Sequence, residues 1–332
     1  MVQILGKEVG STGYGLMDLP GFGATKDKLT IEQVVETMKF AFDNGCRLWS
    51  GAEFYGPPGW NSQVFINAYF TRYPNDADKV IICIKGGLDV QKLAPDTSAA
   101  FVRKSIDNIL EQLGGKKNLD LFALARRDGS SDFAATLRMI RSEYVDTGKV
   151  GGISLSECSV DTIEQATAVA KVHLAELELS LFTTDILNNG IAAACNKHDI
   201  PIMAYSPMGR GMLAGAFKTT ADLQGKPFLP KFPRFQPEAF DYNMQLTAQV
   251  QDLAGQRGCS AAQLALAWVR KHSNRAGLPA VIPIPGTTST TRLQENTKEV
   301  ALTEEEFTSL STLANNFETA GERYPAMMHT NT

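Results

Sequence analysis

The sequence has neither a long hydrophobic run nor an excess of basic residues. Its longest apolar runs, such as 80–84 and 191–195, are far shorter than the roughly 20 residues that cross a bilayer. Lys and Arg number 32 against 36 Asp and Glu, which gives a formal net charge of −4 at pH 7. Such a chain lacks the cationic surface that binds a nucleic acid backbone or an anionic membrane. We therefore expect neither a membrane nor nucleic acid as a partner.

Cysteine and histidine are both scarce and scattered along the chain. The five cysteines form no C-x-x-C pair, and most have apolar neighbours, as reduced core cysteines do. The four histidines form no H-E-x-x-H motif. These patterns predict no disulfide framework and no metal site. The first residues, MVQILGKE, lack the features of a signal or transit peptide, so a cytoplasmic location is expected.

Short apolar runs alternate with segments of helical periodicity along most of the chain. The runs predict eight strands, at 13–17, 47–49, 80–84, 119–125, 150–155, 177–181, 202–205 and 280–284. Repeated βα units of this number predict a (β/α)8 TIM barrel, an α/β fold, in one domain over residues 1–332. A doubly wound open sheet is the alternative. It usually carries a G-x-G-x-x-G motif after its first strand, which this sequence lacks.

Two segments lie outside the barrel repeat. Residues 216–242 predict a long loop that packs on another surface as a lid does, because prolines and phenylalanines are interleaved in it: Pro227, Pro230, Pro233 and Pro237 with Phe228, Phe232, Phe235 and Phe240. Near the C-terminus, Thr303 and Glu306 form a capping-box pattern at the start of a helix predicted over about 302–317.

Chemistry in a TIM barrel takes place at the carboxyl ends of the strands, where Tyr55 and Lys85 follow two of the predicted strands. An ammonium group beside a phenol favours the phenolate and lowers the tyrosine pKa from its usual value near 10. Such a pair suits carbonyl reduction, in which tyrosine gives the oxygen its proton. Taken singly, Tyr55 could equally pack in a turn and Lys85 could end a strand in solvent.

Four segments resemble motifs of the aldo-keto reductase superfamily in order and spacing, and the likeness covers nearly the whole chain. The segment GCRLWSGAEFYG at 45–56 resembles the family's G-x-N-x-x-D-T-A-x-x-Y-G motif. The segment ICIKGGLD at 82–89 resembles its strand with the catalytic lysine. Residues 204–215 and 282–296 resemble its two cofactor segments. Within the superfamily, further segments are similar to those of the fungal pyridoxal reductases.

The resemblance implies that Tyr55 is the general acid, that Lys85 lowers its pKa, and that the cofactor is NADPH. It places Tyr205 against the nicotinamide and Arg292 on the 2′-phosphate, a charge-assisted contact that favours NADPH over NADH. The full set of implied cofactor residues is Ser156, Glu176, Tyr205, Ser206, Pro207, Met208, Gly209, Gly211, Leu213, Gly215, Pro285, Gly286, Thr287, Ser289, Arg292, Glu295 and Asn296.

Several positions depart from the family pattern. Ser50 stands where the family has an Asp that pairs with the lysine, and Ala125 stands where it has a His that polarises the carbonyl. These losses remove a charge that raises the lysine pKa and a hydrogen bond to the substrate oxygen. Glu176 and Glu157 replace the usual Gln and Asn. A site without the histidine suits a reactive aldehyde.

The implied reaction is the NADPH-dependent reduction of pyridoxal to pyridoxine, with a small-molecule aldehyde as partner. One alternative is a reductase of many aldehydes or quinones. Another is an NADPH-binding sensor resembling the potassium-channel β subunits, although retention of Tyr55 and Lys85 argues against a pure binding module. Candidate substrate residues are the aromatics flanking the acid, which could stack on a pyridine ring, and an arginine that could meet its phenolate: Trp49, Phe54, Trp60 and Arg126, with Arg127 as an alternative to Arg126.

Overall fold

A computed structural model describes residues 2–21, 29–92, 94–226, 228–275 and 277–326, with 328 and 330. The strands in this part of the chain are β1 Val2–Ile4, β2 Lys7–Val9, β3 Tyr14–Gly15, β4 Leu48–Ala52, β5 Ile81–Gly86, β6 Leu88–Asp89, β7 Ala94–Pro95, β8 Leu119–Leu124, β9 Val150–Ser156, β10 Val172–Glu178, β11 Ile202–Tyr205 and β12 Val281–Pro283. The helices are α1 Ile31–Asp43, α2 Ser62–Arg72, α3 Ala99–Leu113, α4 Phe133–Ile140, α5 Val160–Val169, α6 Asp185–Asn188, α7 Ile191–Lys197, α8 Pro237–Arg257, α9 Ala261–Lys271, α10 Thr290–Thr297 and α11 Glu304–Asn316.

Eight parallel strands form one sheet in the order β12-β11-β10-β9-β8-β5-β4-β3. A parallel bridge between Gly15 and Gly286 joins the two ends of the sheet. A Cβ atom on Gly15 would lie 2.9 Å from the carbonyl oxygen of Ile284, so a larger residue would not fit at this closure. The predicted (β/α)8 barrel is confirmed.

Side chains alternate between the barrel interior and the surrounding helices, as the pleat of a strand requires. The interior cluster includes Leu48, Cys83, Ala123, Leu174 and Met203, one from each of five barrel strands. The outward-facing residues of the strands pack against the helices in a second, larger cluster. The hairpin of β1 and β2 contributes Ile4 and Val9 to the interior cluster and so covers the N-terminal end of the barrel.

Side-chain caps fix the starts of several helices where the sequence indicates them. Thr30, Ser260 and Thr303 each form a capping box at α1, α9 and α11. Ser159 caps α5 by accepting from the backbone N–H of Thr162. None of the helices in the described ranges is long and apolar enough to span a membrane.

Two predicted boundaries are wrong. The strand predicted at 177–181 is β10, Val172–Glu178, and the prediction followed the leucines beyond it. The loop predicted at 216–242 contains short 3₁₀ turns and ends at 236, because Pro237 begins α8. The 21-residue α8 was not predicted.

Candidate active site

Three polar residues share the interior face at the carboxyl ends of the barrel strands. Ser50 lies on β4, Lys85 on β5 and Glu176 on β10, each two residues beyond an apolar interior residue of its own strand. All three side chains are buried. Tyr55 follows β4 in a turn, where its backbone N–H donates to the carbonyl oxygen of Ala52 at 3.1 Å.

The Lys85 ammonium group has a carboxylate partner. Its Nζ lies 2.8 Å from both carboxylate oxygens of Glu176 and donates to Ser50 Oγ at 2.8 Å. The Ser50 hydroxyl in turn donates to Glu176 Oε2 at 2.9 Å. The negative charge expected to be missing when Ser replaces Asp at position 50 is therefore present, supplied by a strand on another side of the barrel.

Lys85 also faces the predicted acid, Tyr55. Lys85 Nζ lies 5.0 Å from the centre of the Tyr55 ring. Burial lowers the pKa of Lys85, but the charges and the hydrogen bond of its neighbours, Glu176 foremost, together outweigh burial, so the pKa lies above its ordinary value of 10.5. Burial raises the pKa of Tyr55 above 10.0 even though Lys85 lowers it. Tyr55 is consequently a protonated acid at neutral pH.

Arg126 lies beside the position of the missing histidine. Ala125 is buried and its methyl group offers no hydrogen bond. The Arg126 guanidinium group donates to Ser156 Oγ at 3.5 Å and lies 5.6 Å from the centre of the Tyr324 ring. Arg126 thus lies at the mouth of the barrel, and a contact with substrate stays a prediction. Arg127 instead contacts Thr162 and Asp161 of α5.

The residues implied at the nicotinamide contact the C-terminal segment. Tyr205 Oη donates to Glu157 Oε1 at 2.9 Å and lies 2.9 Å from Tyr324 Oη. The buried Arg323 guanidinium group pairs with Glu157 at 2.9 Å and with Glu178 at 3.1 Å. Residues 319–324 therefore lie across the ends of β9, β10 and β11.

The loop after β11 contains most of the other implied cofactor residues. Ser206, Gly209, Gly211 and Gly215 all have positive φ angles, and so does Arg210 between two of them. A Cβ atom on Gly209 would lie 2.7 Å from the Phe182 ring, so only glycine fits there. Of the remaining loop residues, Leu213 is buried, and Pro207 and Met208 lie in the same turn.

The second implied cofactor segment surrounds the start of α10. Ser289 caps this helix by accepting from the Arg292 backbone N–H at 3.4 Å. The Arg292 side chain is exposed. The carbonyl oxygen of Thr287 accepts from Tyr14 Oη at 2.6 Å. Pro285 and Gly286 lie at the barrel closure, and Glu295 and the buried Asn296 lie in α10.

The aromatic residues proposed for the substrate separate into two groups. Phe54 packs edge-on against Tyr55, with ring centres 5.4 Å apart, and so lies at the site. Trp49 is wrongly predicted, because it points away from the interior, is 0% exposed and stacks on Phe70 of α2. Trp60 packs against Phe65 of the same helix.

Sequence reasoning did not predict the contact between Ser50 and Glu176, or any role for Arg323 and Tyr324. A sequence signal for the contact between Ser50 and Glu176 was available, because an Asp-to-Ser change and a Gln-to-Glu change together preserve the net charge. No sequence signal pointed to the roles of Arg323 and Tyr324, since residues 319–324 are held in place by long-range hydrogen bonds such as that between Ala320 and Asn243 of α8.

Comparisons with known proteins agree with this geometry. The model of the aldo/keto reductase family matches residues 12–315. A Schizosaccharomyces pombe protein named "Probable pyridoxal reductase 2" is 38% identical over 303 residues, covering 89% of this chain and 88% of that protein.

Among solved structures, a glycerol dehydrogenase from Gluconobacter oxydans superposes with a TM-score of 0.79 at 21% identity, covering 99% of this chain and 98% of that one. An aldo-keto reductase from Klebsiella pneumoniae, solved in complex with NADPH, gives a TM-score of 0.69 at 19% identity, covering 95% of each chain. On the family match and the barrel that carries Tyr55 and Lys85, the chain belongs to the aldo/keto reductase family of oxidoreductases.

Proposed function

We propose that the protein reduces an aldehyde with NADPH, and that its reaction is the conversion of pyridoxal to pyridoxine. The observation that carries this proposal is the placement of Lys85 Nζ 5.0 Å from the centre of the Tyr55 ring at the carboxyl ends of the strands. The name of the Schizosaccharomyces pombe relative supports the choice of pyridoxal.

The residues of the chain supply the proton. Tyr55 donates its phenolic proton to the carbonyl oxygen of the aldehyde, and the adjacent Lys85 ammonium group stabilises the phenolate that remains. Because the Tyr55 pKa lies above 10.0, the Tyr55 phenol carries its proton before each turnover at neutral pH. NADPH, when bound, supplies the hydride that completes reduction of the carbonyl to the alcohol.

The residues present fit a dinucleotide with several phosphates. Arg210 is stacked between the rings of Phe232 and Tyr324, at 4.5 and 4.9 Å, and its buried Nη2 has no hydrogen-bond acceptor in the described part of the chain. Such an atom suits a phosphate oxygen. The loop 206–215 would hold the pyrophosphate through its backbone, and the exposed Arg292 would hold the 2′-phosphate.

The substrate side of the site combines a cation with an aromatic ring. Arg126 would pair with the phenolic oxygen of pyridoxal, and Phe54 would pack on its ring. Pyridoxal is an electron-poor aldehyde, so its carbonyl needs less polarisation than the family histidine would supply. Ala125 is therefore compatible with this substrate.

The test is NADPH consumption by the purified protein with pyridoxal, pyridoxal phosphate and 4-nitrobenzaldehyde, each repeated with NADH. We expect the highest kcat/KM for pyridoxal with NADPH. Equal turnover of the nitro compound and pyridoxal would support a reductase of many aldehydes. Binding of NADPH without turnover of any aldehyde would overturn the proposal and support a cofactor-binding sensor.

A further inference from the structure

We propose that Glu176, held by Ser50, is the counter-ion of Lys85 and positions that lysine beside Tyr55. Glu176 would then do from β10 what an Asp at position 50 of β4 does in the family pattern. The part of this proposal that concerns turnover rests on the proposed reductase function, whereas the ion pair itself does not.

The geometry of the three side chains supports the replacement of an Asp at position 50 by Glu176 as the carboxylate partner of Lys85. Both carboxylate oxygens of Glu176 lie 2.8 Å from Lys85 Nζ, and the side chains of the pair are each 5% exposed. Ser50 accepts a hydrogen bond from Lys85 and donates one to Glu176. These two bonds hold the carboxylate beside the ammonium group, in space that the short serine side chain does not fill. The three residues form a closed triangle of hydrogen bonds, and none points to solvent.

The replacement of Asp at position 50 by Glu176 also leaves the net charge of the site unchanged. An Asp at 50 with a Gln at 176 carries one negative charge, and Ser50 with Glu176 carries one as well. A buried lysine needs one partner, because a lone charge is costly to bury and two carboxylates around one ammonium group repel each other. The two departures from the family pattern are therefore best understood as a single change.

The charged and titratable groups around the pair determine how activity depends on pH. Those that act on Lys85 or Tyr55 are Glu176, Cys83, Tyr324 and, through Tyr55, Arg126. Reduction needs Lys85 charged and Tyr55 protonated, so activity is lost as pH rises through the pKa of either group. Without Glu176, burial lowers the lysine pKa, and activity should be lost at a lower pH.

The experiment compares the wild type with Glu176→Gln, with the double variant Ser50→Asp/Glu176→Gln, and with Asp120→Asn. The last is a matched control, because Asp120 also pairs with a buried lysine but lies near the N-terminal end of the barrel. Two quantities are measured for each protein: the melting temperature without cofactor, and the pH dependence of kcat/KM for pyridoxal reduction.

For Glu176→Gln we expect a melting temperature roughly 5–10 °C below that of the wild type. Its kcat/KM at neutral pH should fall by about 10- to 100-fold, with the alkaline limb of the profile moved down by about one pH unit or more. The double variant should recover most of the melting temperature and of the pH profile. Asp120→Asn should lower the melting temperature without moving the pH profile.

A Glu176→Gln variant with the wild-type melting temperature and pH profile would overturn the proposal. So would a double variant no better than Glu176→Gln in both readouts. If Glu176→Gln does not fold, folding of the double variant supports the replacement and its failure to fold refutes it. If the wild type turns over no aldehyde, the reductase function fails, while the melting temperatures still decide whether Asp at position 50 replaces Glu176.

Discussion

In the described part of the chain, one buried lysine–carboxylate pair lies near each end of the barrel, and the two pairs differ in what they do. Lys117 lies 2.6 Å from Asp120 near the N-terminal end, and Lys85 lies 2.8 Å from Glu176 at the carboxyl end. Asp120 is three residues from Lys117 and also accepts from the backbone N–H of Ile82 and from Lys7 of the N-terminal hairpin. Its contacts tie β8 to neighbouring parts of the chain.

The pair at the carboxyl end is built differently. Glu176 is 91 residues from Lys85 in sequence, and its other hydrogen bond is to a serine hydroxyl instead of the backbone. Burial lowers the pKa of Lys117 below 10.5, whereas at Lys85 burial is outweighed by the combined effect of its neighbours, Glu176 foremost, and the pKa lies above 10.5. The comparison suggests that the first pair stabilises the barrel and the second holds a positive charge where Tyr55 can use it.

The largest expected difference between the two ends is in catalysis. Tyr55→Phe removes the proton donor and should lower kcat for pyridoxal reduction by about 10²- to 10⁴-fold, with NADPH affinity near that of the wild type. The measurement is steady-state kinetics with a fluorescence titration of NADPH. Tyr242→Phe, at a tyrosine that is 42% exposed, is the control and should keep full activity. Full kcat in Tyr55→Phe would refute the assignment of the acid.

Breaking the pair near the N-terminal end should lower stability and leave catalysis largely unchanged. Asp120→Asn leaves the buried Lys117 without its carboxylate and should cost about 3–5 kcal/mol of unfolding free energy. Because a neutral lysine needs no partner, the loss should shrink as pH rises and Lys117 gives up its proton. Urea denaturation at several pH values measures both effects. A large fall in kcat per folded molecule would show that this end also takes part in the chemistry.

A smaller effect is expected at the exposed rim of the carboxyl end. Arg292→Ala removes the cation proposed for the 2′-phosphate and should weaken NADPH binding about 10-fold, because an exposed charge-assisted contact is partly screened by salt. NADH binding should change little. Lys298→Ala, at an exposed cation beyond the other end of α10, is the matched control. Equal losses for both cofactors would mean that Arg292 does not distinguish them.

Local patterns predicted much of the fold. Short apolar runs located seven of the eight barrel strands, and a capping box located the start of α11, because these features depend on neighbours a few residues apart. The strand at 172–178 was misplaced because its interior face carries Glu176 and Glu178 among apolar residues, which hides its amphipathic pattern.

Trp49 shows the same limit at the site. Its position near the acid Tyr55 in sequence suggested a substrate contact, but successive residues of a strand point to opposite faces, so Ser50 faces the interior and Trp49 faces α2. The phase of that alternation follows from which face of β4 the helices cover, and neither residue alone reveals it.

The sequence by itself determined the alternation of strands and helices and the presence of Tyr55 and Lys85 after two neighbouring strands. Only the tertiary structure decided the partner of that lysine. Ser50 and Glu176 are 126 residues apart, and they meet because barrel closure brings the interior faces of β4, β5 and β10 to one axis at the same height. The closed barrel lets a carboxylate on β10 reach the ammonium group on β5, a contact that the separation of the two residues in the sequence does not reveal.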